Sequence, residues 1–158
     1  MDPADARPEP EFARETRIRD LIAYRLGEFR QGEYLVGTEV GFPISRKRAD
    51  LKTIGPGNVL RLYEFKLEAD TSAIGQLLGY IALERLVSDF SRDICGVLAA
   101  FRFEDEVITT IRVMNLSIEI FTLPLHLARA GDLPAFTVQT PALPRFDGFS
   151  QNPEGRIS

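Results

Sequence analysis

The sequence predicts a single domain of α/β class, in which helices flank a central mixed sheet, and three observations lead to that prediction. Residues 11–29 carry apolar side chains at helical spacing, which predicts a first helix. Three strand-like segments follow, and the turn signal Gly55-Pro56-Gly57-Asn58 separates the second from the third. A helical segment between two further strands needs a crossover connection, so part of the sheet must be parallel.

The predicted elements follow one another without an internal repeat. The apolar run at 94–101 is typical of a central strand covered on both faces. Thr71 or Ser72 can cap the second helix, and Glu119 is expected to face outward from the last strand. The order is a helix at 11–29, strands at 34–40, 49–54 and 59–67, a helix at 71–90, a strand at 94–101, a helix at 104–114 and a strand at 116–123.

The chain divides into three parts by composition. Residues 1–10 hold three prolines and alternating charges, which predicts a flexible N-terminal arm. Residues 11–130 hold the periodic segments and form the predicted domain, whose size suits a single hydrophobic core. Residues 131–158 are rich in proline and glycine, so we expect a loosely ordered C-terminal tail.

The composition excludes several classes of protein. No apolar run approaches the roughly 18 residues that a membrane span needs, so we expect no membrane partner. The first residues lack the basic start and apolar centre of a secretory signal, which favours a cytoplasmic location. Cys95 is the single cysteine and His126 the single histidine, so an internal disulfide and a zinc site of several Cys and His ligands are both excluded.

The charge distribution gives two opposing indications. A net charge of −4 counts against nucleic-acid binding, because such proteins usually carry a basic surface. Locally, Arg46, Lys47 and Arg48, with Lys52 close by, form a positive group that we call the basic cluster. We expect it in a turn after Pro43. On charge alone a solvated loop is the commoner explanation, and a nucleic-acid contact is the alternative.

The most informative residues lie on the second and third predicted strands. Side chains alternate along a strand, so Glu64 and Lys66 share the face that buries Leu60 and Leu62. Charges beside a core face are costly unless they are paired or hold a metal. The predicted hairpin can bring Asp50 alongside Glu64, and two converging carboxylates suit Mg²⁺. A metal site on the hairpin is therefore the first hypothesis.

This hypothesis has a chemical consequence and an ordinary alternative. A divalent ion held by Asp50 and Glu64 can polarise a phosphodiester and lower the pKa of a bound water. Lys66 can orient that water or stabilise the charge of the transition state. The alternative is a surface salt bridge between Glu64 and Lys66, which would leave Asp50 and Glu64 far apart in an ordinary interaction domain.

Asp50 and the triplet Glu64-Phe65-Lys66 resemble the PD-(D/E)XK nuclease superfamily. That family places an acidic residue on a second strand and an E-x-K triplet on a third. Ala49 stands where the family pattern has proline. The resemblance covers residues 11–123 in element order, is most specific over 39–80, and lies nearest to NucS-type endonucleases. It implies a restriction-endonuclease-like fold with an αβββαβ core.

The resemblance also implies further site residues. Many branches add a glutamine on the helix after the triplet, and Gln76 fits that position. Many add a glutamate on the first helix, where Glu15 fits best because it shares the inward face of Ile18 and Ile22. Glu28 is a weaker candidate for the same role.

Other polar residues nearby have ordinary explanations. Glu39 is equally suited to an exposed strand position or to the edge of the site. Tyr80, one turn after Gln76, is expected to pack in the core. Glu68 and Asp70 are expected to end a strand and open the next helix, and His126 is expected to be structural.

By analogy with the family, the resemblance implies hydrolysis of DNA with Mg²⁺ or Mn²⁺. The alternative function is an inert module of the same fold that binds nucleic acid or takes part in assembly. Because the chain is acidic overall, it is expected to attract DNA, a polyanion, only weakly by itself. We therefore expect it to bind DNA either as a homodimer or together with a separate DNA-binding partner.

Overall fold

The computed structural model describes residues 11–132, so the predicted arm at 1–10 and nearly all of the predicted tail lie outside the described residues. Short 3-10 turns occur at Pro56–Asn58 and Leu125–Asp132. The remaining elements are α1 (Glu11–Tyr24), α2 (Leu26–Phe29), β1 (Tyr34–Phe42), β2 (Ser45–Ile54), β3 (Leu60–Ala69), α3 (Thr71–Val87), β4 (Ile94–Phe103), α4 (Asp105–Val113) and β5 (Ile118–Thr122).

The five strands form one sheet whose spatial order equals their order in the chain, β1-β2-β3-β4-β5. Strands β1, β2 and β3 pair antiparallel through two hairpins. Strands β3, β4 and β5 pair parallel, with α3 and α4 as the crossover helices. The predicted mixed sheet flanked by helices is therefore confirmed.

Apolar side chains cover both faces of the sheet. On one face, Leu60 and Leu62 of β3 pack against Leu77 of α3. On the other face, Tyr63 and Phe65 pack beneath the helix α1. This alternation follows from the two-residue period of a strand, and it fixes which face of β3 each later residue occupies. Of the helices in residues 11–132, none combines the length and the apolar character that crossing a lipid bilayer requires.

Four local expectations are corrected. The predicted first helix is interrupted at Arg25, where α1 ends and the four-residue α2 begins. The side chain of Asp70, rather than Thr71 or Ser72, caps α3 by accepting a hydrogen bond of 3.0 Å from the backbone nitrogen of Ser72. Asp70 has the better geometry because it still has extended backbone angles, as an N-cap residue must.

The third correction concerns the basic cluster. The turn between β1 and β2 contains only Pro43 and Ile44, so Arg46, Lys47 and Arg48 lie on β2. A two-residue turn is the commonest way to join antiparallel strands, and it extends the ladder as far as Phe42 and Ser45. The basic side chains therefore project from a strand rather than from a loop.

The last correction concerns Glu119, which was predicted to face outward from the last strand. Its side chain instead contacts two arginines. Its carboxylate accepts a hydrogen bond of 2.6 Å from Arg30 and lies 3.6 Å from Arg61. Arg30 also donates to the Tyr63 hydroxyl at 2.8 Å and to Glu33 at 2.6 Å. These bonds lower the pKa of Glu119, Arg30 being the main cause. Together they form a polar network that ties α2 to the sheet.

Candidate active site

The site begins where β2 and β3 separate. The two strands are paired from Ile54 opposite Leu60 to Leu51 opposite Tyr63, and their pairing ends there. On β3, every second residue points its backbone N–H toward β2, so the N–H groups of residues 65 and 67 lose their expected strand partners. A buried N–H group needs another acceptor.

Two carboxylates supply those acceptors. The backbone nitrogen of Phe65 donates to Asp50 Oδ2 at 2.7 Å. The backbone nitrogen of Leu67 donates to Glu15 Oε1 at 3.3 Å. Asp50 comes from β2 and Glu15 from α1, so the divergence of the strands draws acids from two different elements to one edge of β3.

Glu64 lies on the opposite side of the backbone from Phe65 and is 95% buried, with 5% of its surface exposed. The Tyr80 hydroxyl donates to Glu64 Oε2 at 3.0 Å, and Lys66 Nζ lies 3.2 Å from Glu64 Oε1. Burial and the charge of Asp50 raise the pKa of Glu64 to about 7. Glu64 is therefore poised between its neutral and charged forms near neutral pH.

The other charges of the site are shifted in related ways. Burial raises the pKa of Asp50 despite its bond to Phe65, and burial raises the pKa of Glu15 despite the charge of Lys66. Burial alone would lower the pKa of Lys66, but the neighbouring acids outweigh that effect and raise it. Burial is the largest cause of the raised pKa in all three carboxyl groups, and a cation bound between them would favour their charged forms.

These groups line one cavity of about 280 Å³. The cavity brings together all five residues predicted as catalytic, and it also holds three that were not. Its walls are Glu15, Thr16, Arg19, Asp50, Glu64, Lys66, Gln76 and Tyr80. An ordinary interaction domain with an accidental triad would have left Asp50 and Glu64 far apart, whereas here they face the same space.

The donor set fits a hard divalent cation. Asp50 and Glu64 offer carboxylate oxygens, and Gln76 adds a buried amide oxygen that has no hydrogen-bond partner within residues 11–132. No group of three or more Asp, Glu, His or Cys side chains in that range is gathered tightly enough to hold a metal without help. A site of two carboxylates completed by water is consistent with this arrangement.

The basic cluster divides into two parts. Arg46, Lys47 and Arg48 are exposed on β2, and Lys47 reaches over Gly79 of α3, where a Cβ would come within 3.0 Å of its Nζ. Lys52 instead pairs with Glu84 at 3.0 Å and is mostly buried. Its charge is therefore already balanced by α3.

Other predicted candidates lie outside the cavity. Glu28 is exposed on α2 and pairs with Arg25. Glu68 is exposed on β3, and His126 is exposed on the final 3-10 turn. Glu39 contacts the edge of the site through Arg19.

The sequence analysis missed Arg19, and it predicted the core packing of Tyr80 but not its bond to Glu64. Arg19 lies one helical turn after Glu15, and a charged residue on that inward face was the available signal. Tyr80 does pack in the core, stacked on Phe42 at 5.7 Å between ring centroids, but its hydroxyl also holds Glu64.

No protein-family model matches the sequence, and comparison with curated proteins finds no match. Solved structures similar to the chain include an EndoMS–dsDNA complex, with 17% identity, a TM-score of 0.58 and 78% of this chain covered. They also include a repair endonuclease from Pyrococcus abyssi, with 17% identity, a TM-score of 0.59 and 75% coverage. This chain spans about half of each neighbour, 49% in both cases. The predicted restriction-endonuclease-like fold is confirmed.

The raised pKa of Glu64 predicts a pH dependence of stability in the absence of metal. Between its ordinary value of 4.5 and about 7, the folded protein binds more protons at Glu64 than the unfolded chain does. The free energy of unfolding should therefore fall as pH rises through that range, by on the order of 3 kcal/mol. Asp50 and Glu15 shift in the same direction and steepen the fall.

Urea unfolding in chelating buffer across that pH range measures the effect. Glu64→Gln should flatten the curve, because the neutral side chain no longer titrates. Glu68→Gln is the matched control, since Glu68 is exposed. Equal slopes for the wild type and Glu64→Gln would contradict the assignment.

Proposed function

We propose that this protein hydrolyses phosphodiester bonds of nucleic acid with Mg²⁺ or Mn²⁺, as a DNA endonuclease. The observation that carries the proposal is the cavity at the β2–β3 divergence. Its acids come from β2, β3 and α1, and Lys66 lies beside them. The fold of the neighbouring endonucleases supports the same conclusion.

Asp50 and Glu64 are the residues that would hold the cation, with Gln76 beside them. When bound, the ion would supply Lewis-acid activation of the phosphate and would lower the pKa of a water. It would also favour the ionised forms of the two carboxyl groups, whose pKa values are raised mainly by burial. The site residues therefore fit this ion both in donor chemistry and in charge.

The side chains around these acids have separate tasks in the proposal. Lys66 is held by Glu64 and can donate to the attacking water or to a phosphate oxygen, where negative charge increases during the reaction. The free amide oxygen of Gln76 can accept a hydrogen bond from the attacking water and so orient it. Tyr80 fixes the rotamer of Glu64, and Glu15 fills the remaining acidic wall.

We propose DNA as the substrate because of what the two similar solved structures are. One is described as a complex with dsDNA and the other as a repair endonuclease. Since this chain spans about half of each, the full activity also depends on what accompanies it. A homodimer or a separate DNA-binding partner, expected from the acidic net charge, stays a prediction, and so does a cytoplasmic location.

The first test pairs cleavage with metal binding. Purified protein is incubated with single-stranded, double-stranded and branched DNA in Mg²⁺, with a chelator as blank. We expect cleavage of at least one DNA, and we expect Asp50→Asn with Glu64→Gln to lose both cleavage and the Mn²⁺ affinity measured by calorimetry. Equal Mn²⁺ affinity in the double variant would contradict the site. Metal binding without any cleavage would favour the inert module.

A second test concerns Lys66. Lys66→Ala should lower the cleavage rate on the order of 10²-fold or more, because it removes an electrostatic stabiliser of the transition state. The fold should persist, since Lys66 is partly exposed and fills no core space. Lys47→Ala is the matched control and should raise KM rather than lower kcat. A Lys66→Ala rate equal to that of the wild type would reduce Lys66 to a salt-bridge partner.

A third test concerns the basic cluster as a nucleic-acid contact. Arg46→Glu with Lys47→Glu should weaken DNA binding and flatten its salt dependence, since each lost phosphate contact lowers the slope by roughly one. Arg85→Glu with Arg112→Glu changes the net charge equally on exposed helix positions and should have the smaller effect. An unchanged salt slope in the first variant would make the cluster a solvated surface. Sedimentation of the wild type with and without DNA reports self-association.

A further inference from the structure

Arg19 is a buried cation beside the proposed metal site, and the proposed function assigns it no role. It is 94% buried, with 6% of its surface exposed, yet its guanidinium lines the cavity that holds Asp50 and Lys66. A buried arginine is costly unless several partners compensate its charge. Asp20 and Glu39 do compensate it, and their bonds raise the pKa of Arg19 although burial alone would lower it.

The guanidinium has unused donors. Its Nε and Nη2 donate to Asp20 Oδ1 at 3.0 and 2.8 Å, and its Nη1 lies 3.2 Å from Glu39 Oε1. Arginine has five N–H groups, so one on each terminal nitrogen has no acceptor within residues 11–132. N–H groups of an arginine that remain unpaired can donate to phosphate oxygens, which are strong acceptors.

Glu39 is held less firmly than Asp20. Its side chain is about half exposed, at 51%. Its backbone has a φ of +48° in the middle of β1, a left-handed conformation that is unfavourable for a residue other than glycine. Such strain persists only where the surroundings enforce it, and it concentrates at functional sites. Because the Glu39 side chain is half exposed and meets the guanidinium at one nitrogen, at 3.2 Å, it is the partner of Arg19 that another anion could replace.

The charges of the cavity favour such an anion once a cation is present. Glu15, Asp50 and Glu64 contribute three negative charges when ionised, and Arg19 and Lys66 contribute two positive ones. Asp20 and Glu39 balance part of the charge of Arg19 from outside the cavity. A divalent ion would add two positive charges beside Arg19 and Lys66, and a phosphodiester, which carries one negative charge, would be attracted to all three.

We propose that Arg19 binds the phosphate of the substrate strand in this cavity, and that Glu39 holds the guanidinium in place until the phosphate displaces it. The proposal rests on the proposed function and names the residue that recognises its substrate class, a phosphodiester. Because the contact exists both before and during the reaction, it strengthens substrate binding rather than the chemical step.

The test compares DNA binding, steady-state kinetics and metal binding in matched variants. Binding is measured by fluorescence anisotropy with Mg²⁺ in a Lys66→Ala background, so that the DNA stays intact. Arg19→Gln should raise Kd and KM by about 10- to 100-fold, the loss expected for hydrogen bonds to a charged group, and kcat should change little. Mn²⁺ affinity should stay within about twofold, and Arg17→Gln, on the same helix but outside the cavity, should behave as the wild type.

Glu39→Gln separates phosphate binding from a structural role. If Glu39 competes with phosphate, this variant should bind DNA as tightly as the wild type or more tightly. If it weakens binding as much as Arg19→Gln does, the pair is a structural clamp and the proposal is overturned. Should Arg19→Gln not fold, Arg19→Lys replaces it, and we expect an intermediate rise in Kd because the charge stays and the fork is lost.

The outcomes also distinguish this inference from the function on which it rests. A wild type that cuts DNA while Arg19→Gln keeps its Kd and KM overturns the role of Arg19 alone. A loss of Mn²⁺ affinity in Arg19→Gln also overturns it, because Arg19 would then act through Asp50. A wild type that neither binds nor cuts DNA overturns the proposed function and this inference together.

Discussion

The backbone of β3 determines most of what surrounds it. Where β2 turns away, the N–H groups of Phe65 and Leu67 need acceptors, and the side chains of Asp50 and Glu15 provide them. The acids thus complete the hydrogen bonding of a sheet that has lost one neighbour. The acids thereby lie at one edge of β3, where Lys66 pairs with Glu64 and where the proposed divalent ion would bind. In this protein the chemistry of the site follows from a gap in a β-ladder.

Helices α1 and α3 pack on the two faces of the sheet and hold the site residues at the end of the β2–β3 pairing. On one face α1 is anchored by its apolar residues, and it carries Glu15 toward Leu67 of β3 and Arg19, one turn later, toward Glu39 of β1. On the other face α3 packs its apolar side against β3 and presents Gln76 and Tyr80 to the cavity. Tyr80 links the core to the cavity, since its ring stacks on Phe42 in the core while its hydroxyl donates a hydrogen bond to Glu64. A rigid core thereby fixes the geometry of a polar site.

Sequence patterns predicted what depends on neighbours in the chain. Alternation along β3 placed Glu64 and Lys66 on one face, and the turn at Gly55-Pro56-Gly57-Asn58 joined the two strands that carry the acids. Long-range ion pairs were not predicted, because the spacing of residues in the sequence carries no information about them. Arg19 meets Glu39, and Arg30 meets Glu119, only after folding. The basic cluster was misplaced for a local reason, since charged residues beside a proline resemble a loop even when a two-residue turn extends the strand. The resemblance to nucleases added Gln76 and Glu15, which periodicity alone would not have singled out.

The irregular course of β1 has a consequence for colloidal behaviour. As an edge strand, β1 has one side without a strand partner in the sheet, and such an edge invites pairing with another chain. The register of β1 shifts between Leu35 and Gly37 and again after Gly41, and the left-handed Glu39 lies between these shifts. A strand of another molecule could therefore not pair regularly along the whole of β1, which also carries the charged Glu39 near its middle. The same distortion that borders the cavity protects the sheet from edge-to-edge aggregation.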